Sequence, residues 1–276
     1  MKISILLFFI LFLSVQTAMS QKIGLVLSGG GARGLAHIGV LKALEENNIP
    51  IDYITGTSIG ALVGGFYAMG YSPDEIEKIV ASEDFLNSAK GIIKGDLTYY
   101  FKKKENNGSW INIHYSTKTG WQTALPMNII NPVPMDFGLM EFTGFSAAKA
   151  NYNFDSLFVP FRCVAADIET KQAVVFGKGD LGQAIRASFA FPFYFPPVNR
   201  DGKILYDGGL YNNFPTDVMQ TEFAPEYTIG IDVSGGSPII TDEDNILVQI
   251  RTMIVQRNAS CIEPGQGVII PQIRAL

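Results

Sequence analysis

A single serine, Ser58, stands in a setting that could make it a nucleophile. It lies between Gly56 and Gly60 in the pattern G-x-S-x-G. The residues before it (51–55) are typical of a buried strand, and those after it (59–69) of a buried helix. The flanking glycines let the backbone turn sharply, which exposes the hydroxyl at the positive end of the helix. That placement suits attack on a carbonyl, although a serine that merely caps the helix would fit the same pattern.

A serine hydroxyl is a weak nucleophile unless a base takes its proton. The chain has two histidines, His37 and His114. His37 falls in the first predicted helix, where packing or bracing of the preceding loop is the more common role, and His114 falls in a weakly patterned region. Neither follows the serine near the end of the chain, where the histidine of an α/β hydrolase lies. A Ser-His-Asp triad is therefore poorly supported.

An aspartate is the alternative base. Asp207 follows a short predicted strand (204–206) and precedes Gly208 and Gly209. Such a turn can hold a carboxylate at the carboxyl edge of a parallel sheet, where ligands bind. An ordinary Asp-Gly turn explains the same residues. The spacing alone favours the ordinary turn, so a serine–aspartate pair stays a hypothesis at this point.

A glycine-rich loop, GGGARG at residues 29–34, follows a predicted strand (22–28) and precedes a predicted helix (35–47). It matches the dinucleotide fingerprint G-x-G-x-x-G, and Asp52 lies close to where a ribose-binding acid would fall. Alternatively, its amides form an oxyanion hole at a helix start. A tight structural turn is the third interpretation. Only the oxyanion hole would also explain the neighbouring serine turn.

Two consecutive strand–turn–helix units with strands buried on both faces predict an α/β fold. We expect a three-layer α/β/α sandwich with a mainly parallel central sheet. Further along the chain the patterns predict a helix capped by Ser72, an irregular insertion (84–151) with a strand at 111–116 and a helix at 137–150, a hairpin (161–168 and 173–176), helices at 180–188 and 246–256, and strands at 228–233 and 267–270.

Composition excludes some classes of protein. The chain has 276 residues, of which 47% are hydrophobic and 17% charged, so it folds around a sizeable core. Its formal net charge is −5, which provides no basic face, and we expect no nucleic-acid partner.

The first 20 residues are typical of a cleaved export signal. Lys2 precedes an apolar run (3–13), which is too short to span a membrane, and small residues stand before Gln21. We expect a periplasmic, outer-membrane-associated or secreted protein. In such a protein Cys163 and Cys261 could pair, which the sequence leaves open.

Taken together, several stretches resemble the patatin-like phospholipases. They are GGGARG (29–34), GTSIG (56–60), RASFAFPFYFPPV (186–198), DGG (207–209) and GGLYNNFP (208–215), within about residues 22–234. The resemblance implies a patatin-like acyl hydrolase domain over residues 21–276, with its C-terminal extent left open. It further implies that Ser58 attacks an acyl ester and that Asp207 is its base partner.

The resemblance also assigns the supporting residues. The amides of Gly29, Gly30 and Gly31 would hold the oxyanion, and Arg33 would fix their loop. The motif glycines would be Gly34, Gly56, Gly60, Gly208 and Gly209. It implies no metal and no cofactor, and as partners a phospholipid or other acyl-ester substrate and, transiently, a membrane surface. The aromatic run 189–195 departs from the smaller residues usual in the family, and would either line the acyl site or pack in the core.

The leading interpretation is therefore a lipid acyl hydrolase that cleaves carboxylic esters through a Ser-Asp dyad and an acyl-serine intermediate. The alternative is a non-catalytic lipid- or nucleotide-binding module, or a domain of a larger outer-membrane export protein.

Overall fold

The computed structural model describes residues 21–93, 112–116, 120–124, 130–235, 262–263 and 265–271; for 112–116 and 120–124 we consider the backbone alone. The predicted export signal (1–20), the predicted helix at 246–256 and Cys261 lie outside the described residues, and stay predictions.

Strands and helices alternate as the sequence predicts. The strands are β1 (Ile23–Leu27), β2 (Tyr53–Thr57), β3 (Asn112–Ser116), β4 (Gly120–Ala124), β5 (Phe161–Asp167), β6 (Gln172–Phe176), β7 (Val198–Arg200), β8 (Lys203–Asp207), β9 (Tyr227–Asp232) and β10 (Gly267–Pro271). The helices are α1 (Ala36–Glu46), α2 (Ile59–Ala68), α3 (Pro73–Ala81), α4 (Glu83–Ala89), α5 (Val133–Lys149), α6 (Leu181–Ser188) and α7 (Thr216–Glu222). Short 3₁₀ helices cover Gly31–Leu35, Phe154–Ser156 and Gly208–Leu210.

Local capping explains where several helices begin. Ser72 and Glu75 form a reciprocal capping box at the start of α3. The Asp180 side chain accepts from the Gln183 amide and begins α6. Helix α5 begins four residues earlier than predicted, because prolines fit the first turn of a helix, where no amide partner is needed. The segment expected to be irregular therefore contains regular helices at both ends and a β3–β4 hairpin.

The central sheet is mixed. Strands β10, β9, β1, β2 and β5 run parallel in that spatial order, whereas β6 and β8 pair antiparallel with β5, and β7 with β8. Both hairpin strands predicted between residues 161 and 176 are confirmed. The predicted α/β class is thus confirmed, with a parallel centre and an antiparallel margin.

One edge of β5 is shared by two other strands. Strand β2 pairs with residues 161–164 of β5, and β8 pairs with residues 165–167. Strand β6 pairs with residues 163–167 and so overlaps both. A strand has two edges, so β6 takes one of them and β2 and β8 lie end to end along the other. The carboxyl ends of β2 and β8 therefore meet head to head beside the middle of β5.

Both faces of the sheet are covered by helices. Leu25 and Leu27 point into the larger core, which α1, α2, α5 and α6 also line. Val26, between them, faces the other side and packs with Phe214 and Met219 of the segment that contains α7. This alternation is the two-residue period of a strand buried on both faces. Within the described residues no helix is both long and apolar enough to cross a membrane.

Candidate active site

The structure brings the predicted nucleophile and base together. The Ser58 hydroxyl donates to Asp207 Oδ2 across 2.7 Å, although the two residues are 149 positions apart. The register of β5 accounts for this contact. Thr57 lies opposite Val164, so Ser58 follows at the level of Ala165, and Asp207 lies opposite Ala165 itself. The pair sits where β2 and β8 meet.

The serine turn needs its two glycines. A Cβ on Gly56 would lie 2.5 Å from the carbonyl oxygen of Gly60, and one on Gly60 would collide with the carbonyl of Leu27. Ser58 itself has φ 57° and ψ −123°, a strained conformation for a residue with a side chain. Sharp turning with a strained serine is the geometry of a nucleophile elbow. A simple helix cap is a poorer description, because the Ser58 side chain makes no capping hydrogen bond.

The Asp207 carboxylate is held by its own turn. Its Oδ1 accepts from the Gly209 amide at 2.8 Å, which leaves Oδ2 facing the serine. The residue is only 5% exposed. Its position differs from the prediction in one respect. Because β8 is antiparallel to β5, it runs in the direction opposite to the parallel strands. Asp207 therefore approaches the site from beyond the carboxyl ends of those strands. Gly208 packs against the Val164 carbonyl, where a Cβ would collide.

The glycine loop lies directly beside the serine. A Cβ on Gly29 would be 3.1 Å from Ser58 Cβ. The Gly29 amide donates to the Asn213 carbonyl at 3.0 Å, so this amide is engaged within the protein. Gly30 is buried. Gly31, with φ 60°, begins the 3₁₀ helix Gly31–Leu35, which precedes α1, whereas the sequence predicted a helix that starts at residue 35 directly after the loop.

Two further loop residues have clear contacts. Arg33 Nη2 donates to the Ser234 carbonyl at 2.5 Å and ties the loop to the segment after β9. Gly34 packs against Ile59, the residue after the proposed nucleophile, so closely that a Cβ would overlap it. The loop is therefore fitted against both β9 and the start of α2.

Sequence reasoning missed the polar contacts that join these loops. Asn213 Nδ2 donates to the Gly29 carbonyl at 3.3 Å, and its Oδ1 would lie 2.8 Å from a Cβ on Gly209. Thr57 Oγ1 donates to the Asn212 carbonyl at 2.9 Å. These contacts hold the segment after Asp207 against the ends of β1 and β2. The paired asparagines in GGLYNNFP were the available signal.

His37 braces the glycine loop from within the core. Its Nε2 lies 2.9 Å from the Ser28 carbonyl, so Nε2 carries the donated proton and Nδ1 is unprotonated and without a hydrogen-bond partner. Burial lowers the pKa of His37 to about 4, since the charged form would lose its hydration. Because the buried His37 side chain is hydrogen-bonded to the Ser28 carbonyl, it is not the base for Ser58. The side chain of His114 lies outside the described residues.

His37 should make stability depend on pH. Its pKa is about 6.5 in the unfolded chain and about 4 in the folded one, so acid favours unfolding below pH 6.5. We expect His37 to lower the free energy of unfolding by about 2 kcal/mol between pH 7.5 and pH 5. Urea unfolding at both pH values would measure this. His37→Gln keeps a donor for the Ser28 carbonyl but does not titrate, so its free energy of unfolding should fall by about 2 kcal/mol less than that of the wild type between the two pH values. An equal fall in the variant and the wild type would contradict the expectation.

The dinucleotide interpretation does not fit the structure. Asp52 lies just before β2, at the opposite edge of the sheet from the glycine loop. Its carboxylate accepts from the Ile23 amide at 2.9 Å and pairs with Lys22. A ribose-binding acid must lie at the carboxyl edge, near the loop.

Two other predicted features have structural roles. Phe195 is buried, contacts Phe189 edge-to-face at 5.8 Å and lies under the Arg186 guanidinium, so this part of the aromatic run is core packing. Phe193, by contrast, is 49% exposed. Cys163 is free and buried, and burial raises the pKa of its thiol to about 12, which makes it a poor competing nucleophile.

The site is thus an α/β sheet that places a serine in a nucleophile-elbow turn against a buried aspartate and a glycine loop. The patatin-like phospholipase family model matches residues 25–219, and the chain belongs to that family. The resemblance stated from the motifs is thereby confirmed.

Curated relatives agree with this assignment. Patatin-like phospholipase domain-containing protein 7 of Rattus norvegicus is 34% identical over 231 residues, which are 81% of this chain and 14% of the relative. Lysophospholipase NTE1 of Kluyveromyces lactis is 30% identical over 219 residues, which are 79% and 13% respectively. The chain thus spans only about a seventh of the length of these relatives. Among solved structures, VipD from Legionella pneumophila is similar with a TM-score of 0.47 and 14% identity, over 81% of this chain and 51% of VipD.

Proposed function

We propose that the protein is a lipid acyl hydrolase that cleaves carboxylic esters through Ser58 and Asp207. The observation that carries the proposal is the 2.7 Å hydrogen bond from the Ser58 hydroxyl to a buried carboxylate whose other oxygen is already fixed. A hydroxyl in that contact can lose its proton as it attacks, which is the requirement for a serine nucleophile. Family membership and the names of the relatives, a phospholipase and a lysophospholipase, support a lipid ester as the substrate.

In the first half of the reaction, Ser58 Oγ forms a bond to the ester carbonyl carbon while its proton passes to Asp207 Oδ2. The carbonyl oxygen becomes an oxyanion. We propose that amides of the glycine loop, those of Gly30 and Gly31, stabilise it, since this loop lies beside the serine. The C–O bond to the alcohol then breaks, and the leaving oxygen takes the proton from Asp207. Acyl-Ser58 remains.

In the second half, a water molecule attacks the acyl-serine carbonyl and Asp207 accepts its proton. The second oxyanion collapses, the bond to Ser58 Oγ breaks, and Oγ recovers the proton from Asp207. A free carboxylic acid leaves. One carboxylate therefore serves as base and acid in both halves, without an imidazole.

A fluorophosphonate probe tests this proposal, because it reacts covalently with activated serines. We expect a single adduct, located on Ser58 by peptide mapping, and hydrolysis of a chromogenic short-chain ester that EDTA leaves unchanged. A folded chain that forms no adduct and releases no chromophore would end the proposal, and would favour a lipid-binding module without turnover.

Transient contact with a membrane surface is part of the same proposal if the substrate is a phospholipid. Exposed apolar side chains on the outer face of α5, Val133, Phe137 and Met140, support it. Co-sedimentation with phosphatidylcholine vesicles would measure the contact, and a chain that stays entirely in the supernatant would contradict it.

A further inference from the structure

We propose that Ser188 is a positioning residue whose hydroxyl holds the backbone of Ser58. The inference rests on the proposed function for its catalytic consequence, but the contact itself can be tested without turnover. Ser188 is the last residue of α6 and is fully buried.

The Ser188 hydroxyl bridges two backbone groups. It donates to the Val164 carbonyl at 2.6 Å and accepts from the Ser58 amide at 2.9 Å. A hydroxyl has one proton, so donation to Val164 fixes the direction of that proton and turns a lone pair toward Ser58. A single side chain in one orientation therefore bonds both the Val164 carbonyl and the Ser58 amide.

The bridge replaces a hydrogen bond that the sheet does not make. Thr57 and Val164 are the last register pair between β2 and β5, and from Ala165 onward the same edge of β5 belongs to β8. The Ser58 amide therefore leaves the sheet at the junction. The Ser188 hydroxyl lies between this amide and the Val164 carbonyl, where the next bond of the ladder would be. It thus satisfies the amide of a part-buried residue whose φ is 57°.

The same short segment also reaches the proposed base. The Asp207 amide donates to the Ala190 carbonyl at 3.0 Å. Ser188 and Ala190, two residues apart at the C-terminal end of α6, therefore bond the backbone amides of Ser58 and Asp207. Because α6 packs against β5, the position of α6 helps to fix the backbones of both Ser58 and Asp207.

The test uses Ser188→Ala, which removes the bridge and adds no bulk. Thr55→Val is the matched control, since Thr55 is equally buried and its hydroxyl donates to the Pro215 carbonyl rather than bonding the backbone of Ser58. Hydrogen exchange of the Ser58 amide is followed by NMR, fluorophosphonate labelling by the rate of adduct formation, and global stability by urea unfolding. Both variants should lose some stability.

In Ser188→Ala alone, we expect the Ser58 amide to exchange at least about tenfold faster. Labelling should slow by about ten- to a hundredfold, because small misplacements of a reacting group cost rates of that order. Ser188→Cys, of similar size and with a weaker donor, should fall between alanine and serine.

Unchanged exchange of the Ser58 amide in Ser188→Ala would overturn the inference, as would labelling no slower than in Thr55→Val. A wild-type chain that is never labelled and hydrolyses no ester would end the proposed function instead, and amide exchange would still decide whether Ser188 holds Ser58.

Discussion

Replacing Ser58 by alanine is expected to lower ester hydrolysis at least about a thousandfold, as loss of the covalent nucleophile does in serine hydrolases. Alanine keeps the Cβ and the same backbone strain, and removes only the oxygen that attacks. The fold should therefore survive the change. Initial rates on a chromogenic ester would measure the loss, together with labelling by the fluorophosphonate.

Ser72→Ala is the matched control for that variant. Ser72 also precedes a helix and caps α3, so its loss should reduce stability by about 1 kcal/mol and leave hydrolysis at the wild-type rate. If Ser58→Ala kept wild-type hydrolysis while folded, the ester would be cleaved elsewhere on the protein.

Asp207→Asn should reduce hydrolysis by about 10²- to 10⁴-fold, the usual contribution of a positioned base. Asparagine has the same size, and its oxygen can still accept from the Gly209 amide, so the turn is retained. Its NH₂ group would then face Ser58 Oγ, where it can donate but cannot take up a proton. Rates should fall in both acylation and deacylation.

Asp167→Asn provides the control for Asp207. Asp167 is a buried carboxylate two residues beyond the Ala165 register position, and it accepts from the Glu169 amide at 3.0 Å rather than from a serine. Removing its charge should leave hydrolysis intact. Equal losses in both variants would show that any buried charge near β5 matters, and would remove Asp207 from its proposed role.

The sequence predicted the serine turn and the glycine loop because glycine marks sharp backbone turns directly. Gly56 and Gly60 meet each other and Leu27 at distances that exclude a Cβ, so their pattern encodes a local geometry. Other local signals placed the hairpin, from the polar turn between its strands, and the cap of α3, from Ser72 and Pro73. These are short-range signals, which depend on neighbours within a few residues.

The direction of β8 could not be predicted in the same way. Five residues of a strand have no feature that distinguishes parallel from antiparallel pairing, and the choice depends on β5, which lies about 40 residues earlier. Ser188 was invisible for a related reason. A serine within an apolar run is typical of core packing, and its contact with Ser58 is 130 residues distant in sequence.

The meeting of β2 and β8 along one neighbour has a consequence for how such a protein can vary. Because a third strand sets the distance between Ser58 Oγ and Asp207 Oδ2, that distance does not depend on the length of chain between the two residues. Loops or whole extra elements could be inserted between Ser58 and Asp207, and the two side chains would still face each other, provided that β5 keeps its partner strands along both edges.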